Sequence, residues 1–300
     1  MRSLGLGRLA LALILSFSPA LLMADPCADF TPQQRPQNVG RDIVGKDWDA
    51  LVEQGHMLFA VYEDYPPYSW EESGQPRGID IEIARIIAED LGVEARFNFV
   101  AAGENLDADL RNNIWKGALI GGKIANVMMR IPYDSAYKCR VEQVVFTGQY
   151  ASESIAIAYD TASYPDEKPV PAYFRFDPVT VENDSISDFY LSSFAGGQLA
   201  TKVQRYPDMQ EAMAALAGGQ TKAAMGPLAQ LEHGATDAIK VHSPPLAGFA
   251  VSRWTIGVAV NFRYRPLSYA VDDAVRYAIE DGRIPQIFAD YGLTYQSPER

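Results

Sequence analysis

From Asp47 to Phe99 the apolar positions switch between the two periods of an α/β layer. W-D-A-L-V-E-Q, closed by Gly55, predicts a short helix, and the continuous apolar run M-L-F-A-V-Y predicts a buried strand. The loop Glu63 to Gln75 carries Pro66-Pro67 and is excluded from helix, whereas Ile83, Ile86, Ile87 and Leu91 recur at helical spacing up to Gly92. Val93, Ala95, Phe97 and Phe99 then alternate as in a half-buried strand. The same logic repeats downstream. Ile114, Trp115, Leu119 and Ile120 predict a helix ended by Gly121-Gly122, Ile124 to Met129 a strand, and Arg130 to Arg140 a loop. A strand at Val144 to Phe146, a turn at Thr147-Gly148 and a further run from Ser154 to Tyr159 lead into the proline-rich stretch Tyr164 to Pro178.

Beyond that stretch a second set of units begins. Val179 to Val181 and Ala223 to Met225 predict strands, Asp184-Ser185 opens a helix, and Met209, Ala212, Met213 and Leu216 form an apolar stripe ended by Gly218-Gly219. Trp254 to Val260 predicts a returning strand. Leu267, Ala270, Val271, Ala274, Val275 and Ala278 share one helical face, and a last helix runs from Ile284 to Tyr291. The first and last thirds therefore form one lobe, expected at 47–152 and 256–300, with a second lobe at 153–255 inserted between them.

The N-terminus adds a compartment. Arg2 and Arg8 precede an apolar run from Leu9 to Leu22, interrupted by Ser16, Ser18 and Pro19 and ending in small residues. That pattern predicts a cleavable export signal over residues 1–24 and a periplasmic protein, because the run is short of the roughly 20 residues of a bilayer span. Residues 25–46, rich in Pro, Gln and Asn, predict an extended leader. Without the signal, 24 basic stand against 38 acidic residues, a formal charge of −14, which argues against nucleic acid and anionic membranes as partners. Cys27 and Cys139 are the whole cysteine inventory. In an oxidising compartment a bridge is expected, with two unrelated thiols as the alternative. His56, His233 and His242 have no metal-ligand spacing, so neither a metal nor a cofactor is expected.

W-D-A-L-V-E-Q-G-H-M-L-F-A-V-Y-E-D-Y-P-P-Y-S-W, G-I-D-I-E-I-A-R-I-I-A-E-D-L-G, W-K-G-A-L-I-G-G-K-I-A-N-V-M and D-D-A-V-R-Y-A-I-E-D-G-R-I-P-Q-I-F-A-D-Y-G occur in order. Together they resemble bacterial extracellular solute-binding proteins of family 3. The resemblance implies the α/β type II periplasmic binding protein fold: two lobes, each a central mixed sheet flanked by helices, joined by two crossover strands. It also implies a monomer that holds a small polar solute for an ABC permease. The run D-A-D-L-R-N-N-I-W-K-G with M-M-R-I-P-Y-D is similar to a branch associated with PQQ-dependent alcohol dehydrogenases. That similarity implies an alternative, a non-transport accessory protein meeting a periplasmic quinoprotein dehydrogenase or cytochrome.

The candidate ligand residues follow from both lines. The resemblance maps a carboxylate-binding arginine onto Arg140, six residues before Phe146, and a guanidinium fork suits two carboxylate oxygens. Arg130 opens the unusual loop before it. Tyr62, Tyr65 and Tyr68 crowd the loop after the first strand, where α/β sheets bind ligands and aromatic rings supply walls. Ser185 stands with Asp188 at capping-box spacing, at a helix start able to offer N–H groups. The family's ammonium-binding aspartate aligns with Pro227, which cannot bind an ammonium, so a carboxylate or another polar solute without an amine is expected. No activated nucleophile or acid and base pair is readable: Ser152 to Ser154 predict loop polarity, Glu71-Glu72 a solvated turn, and catalysis is not expected.

Overall fold

The first elements form as the pattern dictates. Asp47 caps α1 (Trp48–Gln54), and Gly55, in the left-handed region, closes it and releases the chain into β1 (His56–Tyr62). β1 has two buried faces. Met57, Phe59 and Val61 enter one core cluster, while Ala60, with Leu58 and Tyr62 packed beside it, enters another. A small hairpin, β2 (Trp70–Glu72) and β3 (Gln75–Arg77), occupies the loop, with Glu71 and Glu72 exposed; it leads into α2 (Ile79–Asp90) and β4 (Glu94–Val100). This computed structural model describes Cys27, Phe30 and residues 46–118, 122–249 and 251–299. The expected export signal, most of the leader, and Leu119 and Ile120 lie outside the described residues.

Four expectations are corrected in the next stretch. The helical turn comes earlier, as α3 (Leu106–Leu110) continued by a π-turn at Arg111–Trp115. The strand comes later, as β5 (Val127–Tyr133), and α4 (Ser135–Arg140) follows, so Arg130 lies inside a strand and the expected loop does not form. The turn at Thr147-Gly148 is a bulge in β6 (Val144–Asp160), a strand of 17 residues. Gly148 takes φ 52°, its N–H meets Asp272 at 3.0 Å, and a Cβ there would press on Val258, Val271 and Val275. A local glycine and threonine pair reads as a turn, but helix packing and pairing on both sides keep the strand going.

The remaining elements are β7 (Val179–Glu182), α5 (Ile186–Gly197), β8 (Val203–Tyr206), α6 (Met209–Ala217), β9 (Ala223–Pro227), α7 (Leu228–His233), β10 (Ile239–His242), β11 (Arg253–Asn261), α8 (Arg265–Glu280) and α9 (Arg283–Asp290). The strands run in the order β4-β1-β5-β11-β6-β9-β7-β8, with β10 also on β6. β6 belongs to both halves: residues 144–154 pair with β11, and 155–160 with β9 and β10. Along its far half Ile155, Ile157 and Tyr159 face one cluster and Ala156 and Ala158 another, the alternation of a strand buried on both sides. Ser152 to Ser154, expected as loop, are buried at this crossing.

The tail after α9 runs along the crossing strands. Ser152 donates its N–H to the Gln296 carbonyl at 2.8 Å, Tyr295 its hydroxyl to the Tyr150 carbonyl at 3.0 Å, and Thr294 donates to Glu232 on α7. Among the described residues no helix is long and apolar enough to cross a membrane.

A disulfide joins Cys27 to Cys139 across a separation of 112 residues, tying the leader to α4. Reduction, or Cys139→Ser, is expected to lower unfolding free energy by up to about 4–5 kcal/mol, the loop-closure value for a ring this long. Denaturant unfolding with and without reductant measures it. An unchanged midpoint would mean that the leader is held by other contacts.

Candidate functional site

Loop 63–69 is fastened to the start of α2 by its own carbonyls. Ile79 N–H donates to Pro67 O at 3.0 Å and Asp80 N–H to Tyr68 O at 2.9 Å, so the loop satisfies groups that a helix start leaves open. Gly78 makes the approach possible, since a Cβ there would stand 2.2 Å from the Tyr68 carbonyl oxygen. The fastening brings Tyr62, Tyr65 and Tyr68 into one row, with ring centroids 6.4 and 6.3 Å apart.

β5 delivers the cation. Ile131 pairs with Gly257 and Met128 with Ala259, which leaves Met129 and Arg130 opposite Val258 alone, and Arg130 takes φ 60°. Such a bulge re-aims a side chain. The Arg130 guanidinium lies 3.4 Å from the Tyr68 ring centroid and 4.9 Å from that of Tyr65. Its Nη1 is buried with no hydrogen-bond partner. Burial opposes the charge, but Tyr68, Tyr65, Asp80 and Tyr150 outweigh it and hold the guanidinium protonated.

Carboxylates complete the cluster. Tyr68 donates its hydroxyl to Glu153 Oε2 at 2.5 Å, and Tyr150 donates to Asp80 Oδ1 at 2.6 Å, leaving Asp80 Oδ2 buried and unpartnered. Burial pushes the Asp80 carboxyl up to about 6, against the pull of Arg130 and the Tyr150 hydroxyl. Glu153 is also raised by burial, opposed by Arg130, Tyr68 and the N–H groups of Ser154 and Ala229. Ala229 belongs to α7, so Glu153 links the tyrosine loop to that helix. Glu182, at the end of β7, is raised by burial and Asp208 and lowered by Arg130.

Of the six expected ligand residues, Tyr62, Tyr65, Tyr68 and Arg130 come together. Tyr62 donates to Asp109 at 2.8 Å. Arg140 stands elsewhere, on α4, lining a cavity of about 430 Å³ with Asn105, Leu106, Asp107, Pro132, Asp134 and Tyr137. Ser185 caps α5, accepting from Asp188 N–H at 3.2 Å, while the Asp188 carboxylate meets Arg205 at 2.8 Å. Pro227 ends β9 and offers no side-chain cap to α7. The apolar pattern hides Asp80, Tyr150, Glu153 and Glu182 as site residues. A charged residue between two serines in an otherwise apolar run, as at Glu153, was the one available signal.

Two outcomes are expected. Tyr68→Phe, which strips a buried carboxylate of a donor, should cost about 1–3 kcal/mol in denaturant unfolding. Because the folded Asp80 carboxyl is raised to about 6 from an ordinary value near 3.8, the stability it contributes is full below pH ~4 and is lost as pH rises through about 6. Stability measured from pH 4 to 7 should fall by about 2–3 kcal/mol from this group, and Asp80→Asn should flatten that slope. A slope unchanged in the variant would assign the titration to another group.

Comparison with known proteins fits this architecture. The profile of bacterial extracellular solute-binding proteins, family 3, matches residues 57–117. No curated protein matches the chain. Among solved structures, an ancestral cationic amino acid solute binding protein is 19% identical with a TM-score of 0.67, over 81% of this chain and 98% of its own. An amino acid ABC transporter substrate-binding protein from Streptococcus pneumoniae bound to L-arginine is 19% identical with a TM-score of 0.60, over 83% and 98%. A mutant of ArgBP from T. maritima is 21% identical with a TM-score of 0.55, over 82% and 98%. The chain thus has the two-lobed α/β fold of type II periplasmic binding proteins and carries the family 3 solute-binding signature in residues 57–117.

Proposed function

We propose that this chain is an exported, periplasmic solute-binding protein that closes its lobes on a small polar, carboxylate-bearing solute for an ABC-type importer. The observation that carries the reading is the buried, unpartnered Nη1 of Arg130 beside the Tyr65 and Tyr68 rings. A buried donor without an acceptor is costly, and a carboxylate offers the strongest acceptor to a guanidinium fork. Pro227, at the end of β9, argues for a solute without an ammonium group. The S. pneumoniae relative's L-arginine supports the general idea of a small solute held in this fold and not its identity. Closure is then a population shift toward the state that binds more tightly.

A second reading, an accessory protein of a PQQ-dependent dehydrogenase, draws on the same side chain. A cleft that already carries a cation on Tyr68, with Glu153 reaching the second lobe, can hold its lobes together with no solute.

Thermal unfolding against a panel of carboxylates, amino acids and alcohols separates the two. A carboxylate at 100 times its Kd should stabilise by about 2.7 kcal/mol and raise the midpoint on the order of 5 °C in a chain of this size, and Arg130→Gln should abolish the rise. No rise with any compound would end the importer reading and favour the accessory one, to be followed by binding assays with a periplasmic quinoprotein dehydrogenase.

A further inference from the structure

The surroundings of Arg130 have the composition of a site built for a cation. Its guanidinium lies on the face of Tyr68 and within reach of Tyr65. Asp80 keeps one buried oxygen unpartnered, and Glu153 supplies a second buried carboxylate. A flat cation on an aromatic face with carboxylates around it is how a protein holds a guanidinium presented by a ligand. Here β5 presents it, at a bulge where Arg130 accepts a left-handed backbone conformation unfavourable to any residue but glycine.

We infer that the floor of the cleft is a guanidinium-recognition site filled by a tethered ligand, the side chain of Arg130, and that this internal cation sets the class of solute admitted: hydrogen-bond acceptors such as carboxylates in place of cations. The inference rests on the cleft being a solute site and deepens that reading. Loop 63–69 meets the tethered cation through the rings of Tyr65 and Tyr68, and the charge of Arg130 acts on Asp80, in the first turn of α2, and on Glu153, in the crossing stretch of β6. Glu182 on β7 adds its charge from the second lobe. Without the Arg130 side chain, the same walls become a receptor for a free guanidinium group.

Chemical rescue tests this. Arg130→Gly, which suits the φ of 60°, and Arg130→Ala are compared with the parent protein in thermal unfolding and calorimetric titration with methylguanidinium, agmatine, methylammonium and methylurea. Both variants should melt lower than the parent. Methylguanidinium at about 10 mM should raise their midpoints by several degrees, more than methylurea or methylammonium, while leaving the parent unmoved. Asp80→Asn in the Arg130→Gly background should remove the rescue. Equal responses of variant and parent, or of methylguanidinium and methylurea, overturn the inference. If neither variant folds unaided, soluble recovery on refolding with methylguanidinium against methylurea is the readout, and equal recovery overturns it. Rescue of the variants in a protein whose parent responds to no carboxylate would keep the tethered ligand and remove the importer reading; a carboxylate response without rescue would do the reverse.

Discussion

A positive charge is partly withdrawn from water between β5 and the tyrosine loop, with one guanidinium nitrogen buried, and the local structure is arranged around that fact. A buried guanidinium is tolerable only with acceptors and counter-charges close by. Tyr68 gives its ring to Arg130 and its hydroxyl to Glu153; Tyr150 gives its hydroxyl to Asp80. Tyr68 comes from the loop, Asp80 from α2, Arg130 from β5, and Tyr150 and Glu153 both from β6. Loop, helix start and crossing strand are therefore held in one arrangement by one cation, and the close approach at Gly78 and the bulge in β5 are backbone accommodations to it.

The balance of charges favours the ionised arginine over the ionised acids. Guanidinium does not give up its proton at accessible pH, whereas a carboxyl can take one, so burial acts by raising Asp80 and Glu153. Cation–π contact contributes on the order of 2 kcal/mol in a desolvated site, comparable with one charged hydrogen bond. Neither alone offsets burying the charge. The aromatic face and the acids act jointly, and loss of either leaves the other exposed to the full desolvation cost.

Most of the layer architecture was legible because it rests on periodicity: β1, α2, β4, α6 and α8 follow their apolar spacing. What resisted reading was structure imposed by pairing. β6 looks like two strands and a loop, since Gly148 and the S-E-S triplet carry local signals for turns, and only packing by α8 and pairing with β11 make it continuous. The site divides likewise. The sequence marks Tyr65 and Tyr68 as walls and Arg130 as a ligand candidate in a loop. Asp80 was hidden as an ordinary helix start, and Glu153 as loop polarity. Arg140 carries the spacing to Phe146 that the family resemblance asks for, yet α4 folds between β5 and β6 and sets it beside Tyr137. Distance along the chain says nothing of the helix inserted in between.

The residues after α9 lie against the strands that must flex if the lobes part. Tyr295, Gln296 and Ser297 bond to Tyr150, Ser152 and Ser154, and Thr294 reaches across to Glu232. On the proposed closure of the lobes, parting them would strain this lacing together with the charge cluster, two restraints of unlike chemistry, one gathered around a cation, the other made of carbonyls, hydroxyls, an amide and the Glu232 carboxylate. The Thr294–Glu232 bonds are the exposed end of the lacing and can fray first. A fluorophore placed near the exposed Thr294–Glu232 end would thus report on strain in the crossing strands from the protein surface.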